Sequence, residues 1–205
     1  MVYVVIVFLA WLSFNIIFRI KVIGKENIPK EGGFIMAPNH ISAIDPVFVV
    51  IGRLWGKKML VFAKAELFEI NALLSWLFHQ MGAVALARGK ADTDVLDMAI
   101  EECKKGRGLL IFPEGTRTKT GETGKPKSGA FVVASQAGVP MIPCRLIYDT
   151  PQGFMKMFCR VRVCYGEPIP AEELALGEVR SAAKLRACKA RLSEAWDKLY
   201  EEHHF

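Results

Sequence analysis

The first 18 residues, MVYVVIVFLAWLSFNIIF, carry no charged side chain, and only Ser13 and Asn15 are clearly polar. A helix lying on a water-facing surface needs a polar side, so this segment has to bury itself in lipid or in protein. As a helix it extends about 27 Å, near the hydrocarbon thickness of a bilayer. It lacks the basic start and small-residue cleavage site of a secretory signal. Arg19, Lys21 and Lys25 follow at once, which by the positive-inside tendency places the rest of the chain in the cytoplasm. The expectation is a membrane-anchoring helix over residues 1–18, spanning the bilayer or lying in its interface. Residues 19–205 then form one domain at the cell membrane, on its cytoplasmic side. The plainer alternative is a buried helix.

The remainder has room for a single core. Apolar residues make up 52% and charged residues 23% of the chain, which excludes disorder. The net charge of +6 favours anionic partners. It is spread through loops and the last helix with no nucleic-acid-binding motif, so no nucleic-acid partner is expected. The five cysteines are odd in number and include no C-x-x-C pair. That pattern suggests neither a disulfide framework nor a zinc site, but buried thiols, with no metal implied.

Short apolar runs alternate with helical patterns. Strands are expected at 19–24, 33–37, 59–63, 83–87, 108–112, 139–146 and 158–165. Helices are expected at 67–81, where the sequence is apolar on nearly every side, at 92–105, at 129–138 and at about 178–202. The last places Leu185, Cys188, Leu192, Ala195 and Leu199 on one face. This alternation defines an α/β class with a mostly parallel central sheet flanked by helices, preceded by the N-terminal apolar helix. Functional residues belong on loops at one edge of such a sheet.

Three segments carry chemistry. His40 follows the strand 33–37, and Asp45 stands five positions later, near the start of the next helix. A bent turn could bring the carboxylate to the imidazole, fixing its tautomer and readying it as a general base. A capping aspartate and a structural histidine would explain the pair equally well when taken alone. His203 and His204 sit at the chain end, and His79 falls inside an apolar helix as a packing residue, which leaves His40 as the candidate. The loop Phe112-Pro-Glu-Gly-Thr-Arg117 follows a buried strand. Arg117 can bind a phosphate bidentately, and Thr116 with nearby backbone N–H groups can add donors. Arg88 and Lys64 end two further strands as basic candidates. The glycine spacing is not that of a P-loop, and no G-x-S-x-G elbow or dinucleotide fingerprint occurs.

These blocks together resemble the 1-acyl-sn-glycerol-3-phosphate acyltransferase family of glycerolipid acyltransferases. Asn-His-x-Ser-x-x-Asp stands intact as Asn39, His40, Ser42 and Asp45. A Gly-to-Arg strand runs from Gly82 to Arg88, Phe-Pro-Glu-Gly-Thr-Arg covers 112–117, and a Val-Pro-x-x-Pro run covers 139–143. The likeness extends over roughly residues 19–170. It implies that His40 is the general base and Asp45 its partner. It implies that Arg88, Glu114, Gly115, Thr116 and Arg117 surround the acceptor's glycerol phosphate, with Lys64 as a further basic residue. It implies no cofactor, only a co-substrate thioester on acyl carrier protein or coenzyme A, with lysophosphatidic acid as acceptor and phosphatidic acid as product. Glycerol 3-phosphate or another lysophospholipid is an alternative acceptor. A non-catalytic membrane lipid-binding protein is the alternative of a different class. Ala87 before Arg88 departs from the more polar or bulkier residue relatives often carry, which leaves acceptor choice open.

Overall fold

In the computed structural model, which describes residues 2–86, 92–177 and 181–205, a seven-stranded sheet carries helices on both faces. The strands are β1 (Arg19–Ile23), β2 (Phe34–Pro38), β3 (Leu60–Lys64), β4 (Ala83–Leu86), β5 (Gly108–Leu110), β6 (Met141–Tyr148) and β7 (Arg160–Tyr165). Their order is β1-β7-β6-β2-β5-β3-β4, and every neighbouring pair is parallel except β6 with β7. The expected strands are all present, with shifted ends, and residue 87 of the expected fourth strand lies outside the described residues.

Alternation along the central strands divides the core. Met36, Leu110 and Ile142 face one side with Phe48 and Ile51 of α2 (Asp45–Gly52) and Val7 of α1 (Val2–Ile17). Ile35, Ala37, Leu109 and Met141 face the other side, against Ile100 of α4 (Asp92–Lys104), Phe131 of α5 (Gly129–Ala137) and Leu192 and Trp196 of α6 (Ala182–His203). Trp196, absent from the helical face expected from the sequence, is fully buried, and its indole N–H donates to the Ala37 carbonyl at 3.0 Å. That contact fixes the last helix to the strand that leads to His40. The first expected residues of this helix, 178–180, lie outside the described residues.

α1 is present but shorter than the 18-residue segment, and its 16 residues rise about 24 Å. Among the described residues no helix is long and apolar enough to cross a membrane, so the spanning form of the expected anchor is not supported. The helix is instead two-sided. Val7 is buried, and Phe14 packs edge-on against Phe48 with ring centroids 5.4 Å apart. Val5, Leu9, Leu12 and Ile16 remain exposed. The two polar side chains turn inward along the helix, with Ser13 Oγ donating to the Leu9 carbonyl and Asn15 Nδ2 to that of Trp11.

The expected helix over 67–81 is corrected. Ala65–Leu67 forms a 3-10 turn, and α3 runs over Ala72–Gln80, with Asn71 at its N-cap accepting from the Leu74 N–H at 2.8 Å. None of its residues is buried, and Leu73 is 74% exposed. Its apolar content therefore covers surface beside α1 rather than filling core. His79 is exposed and bonds the Ser75 carbonyl, and it packs edge-on against Phe68 with ring centroids 4.9 Å apart, so its packing is at the surface and not in the core.

Replacing Trp196 with Phe keeps most of the buried volume but removes the donor to Ala37. Urea unfolding should show a loss of about 1–3 kcal/mol. An unchanged midpoint would mean that this bond contributes nothing to tying α6 to the sheet.

Candidate active site

β2 and β5 are hydrogen-bonded neighbours and end at the same edge of the sheet. The loops that follow therefore meet. The His40 imidazole stacks on the Phe112 ring with centroids 4.0 Å apart. The His40 N–H donates to Glu114 Oε1 at 2.8 Å, and its carbonyl accepts from the Thr118 N–H at 2.9 Å. Asn39, fully buried, takes over sheet pairing where the backbone turns away. Its Oδ1 accepts from the Leu146 N–H at 2.7 Å and its Nδ2 donates to the Leu146 carbonyl at 3.3 Å.

Asp45 opens α2, where the helix dipole favours a negative group. The chain between His40 and Asp45 folds into a tight turn. Asp45 Oδ2 accepts from the N–H groups of Ile41 at 2.6 Å and Ser42 at 2.8 Å, and lies 2.9 Å from His40 Nδ1. The other oxygen, Oδ1, accepts from the Tyr148 hydroxyl. Four donors around a carboxylate with no exposed surface offset the cost of burying it. An ionised Asp45 requires the proton on Nδ1, which leaves Nε2 with its lone pair. Nε2 has no partner among the described residues, and the imidazole is 18% exposed, so it faces an accessible space.

The neighbouring loop separates into a buried brace and an exposed rim. Glu114 is 5% exposed, and its second oxygen accepts from the Gly124 N–H at 3.0 Å. Burial holds its carboxyl above the usual range, opposed by the amide donors of His40 and Gly124. Glu114 thus shapes the loop from within. Gly115 sits at φ +70°, a conformation that favours glycine, and its N–H closes a turn onto the Phe112 carbonyl at 3.0 Å. Thr116 and Arg117 are exposed, one step from the Thr118–His40 bond.

His40, Asp45, Glu114, Gly115, Thr116 and Arg117 are accordingly brought together. Lys64 is the last residue of β3, the strand beside β5, with its main chain paired to Leu86 at the same sheet edge. Arg88 lies outside the described residues. Tyr148 was missed in the sequence. It stands 103 positions from Asp45, and its one visible signal is a tyrosine closing a strand with no other aromatic residue.

The thiols offer no competing nucleophile. All five cysteines are free and buried. Burial pushes Cys103 up to about 11 and Cys164 up to about 12, and Cys144 well above the ordinary thiol value.

An α/β sheet presenting a carboxylate-braced imidazole beside a basic loop has the layout of an enzyme centre built around a general base. The chain belongs to the acyltransferase family, whose profile matches residues 19–147. It is 34% identical over 142 residues to the chloroplastic 1-acyl-sn-glycerol-3-phosphate acyltransferase of Arabidopsis thaliana, covering 67% of this chain and 39% of that one. It is 29% identical over 184 residues to the 1-acyl-sn-glycerol-3-phosphate acyltransferase of Bacillus subtilis, covering 88% and 89% of the two chains. The crystal structure of the 1-acyl-sn-glycerophosphate acyltransferase of Thermotoga maritima superposes with a TM-score of 0.72 at 26% identity, over 96% of this chain and 77% of that one. The chain spans about two fifths of the length of the plant and yeast relatives it matches.

Two measurements check this site. In Glu114→Ala the amides of His40 and Gly124 lose their acceptor, so hydrogen exchange at both should accelerate and stability should fall by about 1–3 kcal/mol. Protection at His40 equal to that in the wild type would refute the brace. A disulfide reagent at pH 8 should label almost no Cys103, Cys144 or Cys164 in the folded protein and all of them after unfolding. Rapid native labelling would contradict their burial.

Proposed function

We propose that the protein transfers a fatty acyl chain from a thioester to the sn-2 hydroxyl of 1-acyl-glycerol 3-phosphate, forming phosphatidic acid in phospholipid synthesis. The carrier is acyl carrier protein or coenzyme A. The observation that carries this reading is the free Nε2 of His40, with Asp45 and Tyr148 behind it and the Phe112–Arg117 loop beside it. Lipid binding alone needs no such buried relay, which disfavours the non-catalytic alternative.

In this reading Nε2 takes the proton of the acceptor hydroxyl as its oxygen attacks the thioester carbon. The imidazolium is stabilised by Asp45, whose carboxylate is held by Tyr148 and two backbone amides. The tetrahedral intermediate collapses, the C–S bond breaks, and the departing sulfur recovers the proton from Nε2. No acyl-enzyme forms. Arg117 on the exposed rim holds the acceptor phosphate, together with Arg88 and Lys64 by the family pattern. Fixing that phosphate orients the hydroxyl against His40, which supplies much of the rate gain.

The acceptor is a lipid, so the site has to work at a bilayer. The exposed side of α1, with α3 in contact beside it, suits burial in the interface of the cell membrane from the cytoplasmic side. Its two polar side chains are already satisfied within the helix, as a lipid environment demands.

A thiol-release assay crossing both donors with lysophosphatidic acid, glycerol 3-phosphate and another lysophospholipid tests the reading. His40→Ala should lose roughly a thousandfold in kcat/KM while staying folded, and near-normal turnover would end the proposal. Tyr148→Phe should lower kcat by about ten- to a hundredfold with little change in KM, because a hydrogen bond to a charged group is worth about 1.5–3 kcal/mol. Arg117→Ala should chiefly raise the acceptor KM, and unchanged acceptor kinetics would remove it from the phosphate pocket.

A further inference from the structure

A cavity lies at the end of the sheet opposite His40. It holds about 790 Å³ and is bounded by the first residues of β2 and β5, Phe34 and Gly108, and by the chain leading into β3. Nothing in the acyl-transfer mechanism uses it. Its floor is apolar, with Ile28, Phe34 and Leu54 among the lining residues. Its walls carry seven lysines and arginines against a single carboxylate, Glu26.

This charge is poorly compensated. Arg53 is 6% exposed, lies over the Phe34 ring at 5.1 Å, and donates to the Lys57 carbonyl at 3.3 Å, with no carboxylate paired to it among the described residues. Lys58 donates to the His79 carbonyl, again not to an acid. Lys30 and Lys57 are exposed and have no ion-pair partner among the described residues. Burial, with Arg107 nearby, pulls Lys58 below the usual lysine value, and burial does the same to Arg53. Arg107 and Lys105 share the carboxylate of Glu102. A cavity built this way favours a bound anion.

One wall joins the apolar surface. Trp55, held at φ +72° and 68% exposed, stacks on Phe8 of α1 at 6.3 Å between ring centroids. A lipid could therefore place its phosphate among the lysines while its glycerol and upper acyl carbons run over Trp55 and Phe8. A free phosphate ion would use only the basic walls and leave the indole and the apolar floor idle.

We propose that this cavity is a second lipid site, which binds the phosphate head group of an anionic membrane phospholipid. The site goes beyond acyl transfer and rests only on α1 meeting the membrane. α1 links it to the catalytic end. Phe8 stands by the cavity, whereas Phe14 and Phe18 pack on Phe48, which in turn touches Tyr148 behind Asp45. A lipid held at the first end therefore keeps the whole helix against the bilayer and presents the His40 edge to it.

The test is co-sedimentation of the full chain with phosphatidylcholine vesicles, with and without phosphatidylglycerol. Binding is read without turnover, so its outcome is separate from that of the acyl-transfer assays. The double variant Lys30→Glu/Lys57→Glu should lose about tenfold or more of its partitioning to the anionic vesicles, from about 1 kcal/mol per basic residue at such a surface. Lys184→Glu/Arg186→Glu makes the same charge change on α6 and should alter partitioning by less than about threefold. Brominated phosphatidylglycerol should quench a fluorescence component that Trp55→Phe removes, and brominated phosphatidylcholine should quench it less. Equal losses in the two double variants would mean diffuse attraction and overturn the site. Displacement of the protein by inorganic phosphate or glycerol 3-phosphate at the concentration of the lipid would overturn it as a lipid site.

Discussion

The carboxylate of Asp45 is the point on which the site depends. It is fully buried, and it orders its surroundings because it gathers three donors from the adjoining turn and a fourth from a residue 103 positions away. Two amides of the turn after β2 make the turn tight, the imidazole of His40 is drawn into line, and the hydroxyl at the end of β6 closes the other side. A buried charge with fewer donors would be expensive. With four it becomes a rigid socket that assigns the proton to Nδ1 and frees Nε2.

The sheet supplies the precision. β2 lies between β6 and β5, so the residues leaving its end meet Tyr148 on one side and the Phe112 loop on the other. Asn39 and Glu114 hold this edge together without facing outward. One lends its amide to β6, and the other caps the backbone of His40. The exposed groups, Thr116 and Arg117, are thereby set on a fixed loop. On one face of the sheet, α1 and α2 share an aromatic contact through Phe14, Phe18 and Phe48, which couples the first helix to the layer beneath the site.

Much of this was legible in advance because it is local. Period-two and buried apolar runs located the strands, and Pro and Gly marked the ends of loops. His40 and Asp45 stand close enough in the chain for one turn to join them. The errors share one cause. The segment 67–81 is apolar, and so is core. Composition cannot distinguish a helix buried in protein from one such as α3, which lays Leu73 and Trp76 on the surface. The same ambiguity left a span open for α1, although one side of it, with Val7 and Phe14, packs into the core beside α2.

The sequence by itself determined the α/β class, the apolar first helix, and the pairing of an imidazole with a carboxylate beside a phosphate-type loop. Each of these is written in spacings of a few residues. Tertiary structure alone decided that Tyr148 completes the Asp45 shell, that Glu114 turns inward, and that distant lysines gather around Trp55 at the far end of the sheet. Those outcomes depend on which strands become neighbours, and strand order is set by packing of the two faces of the whole sheet, which no local pattern records.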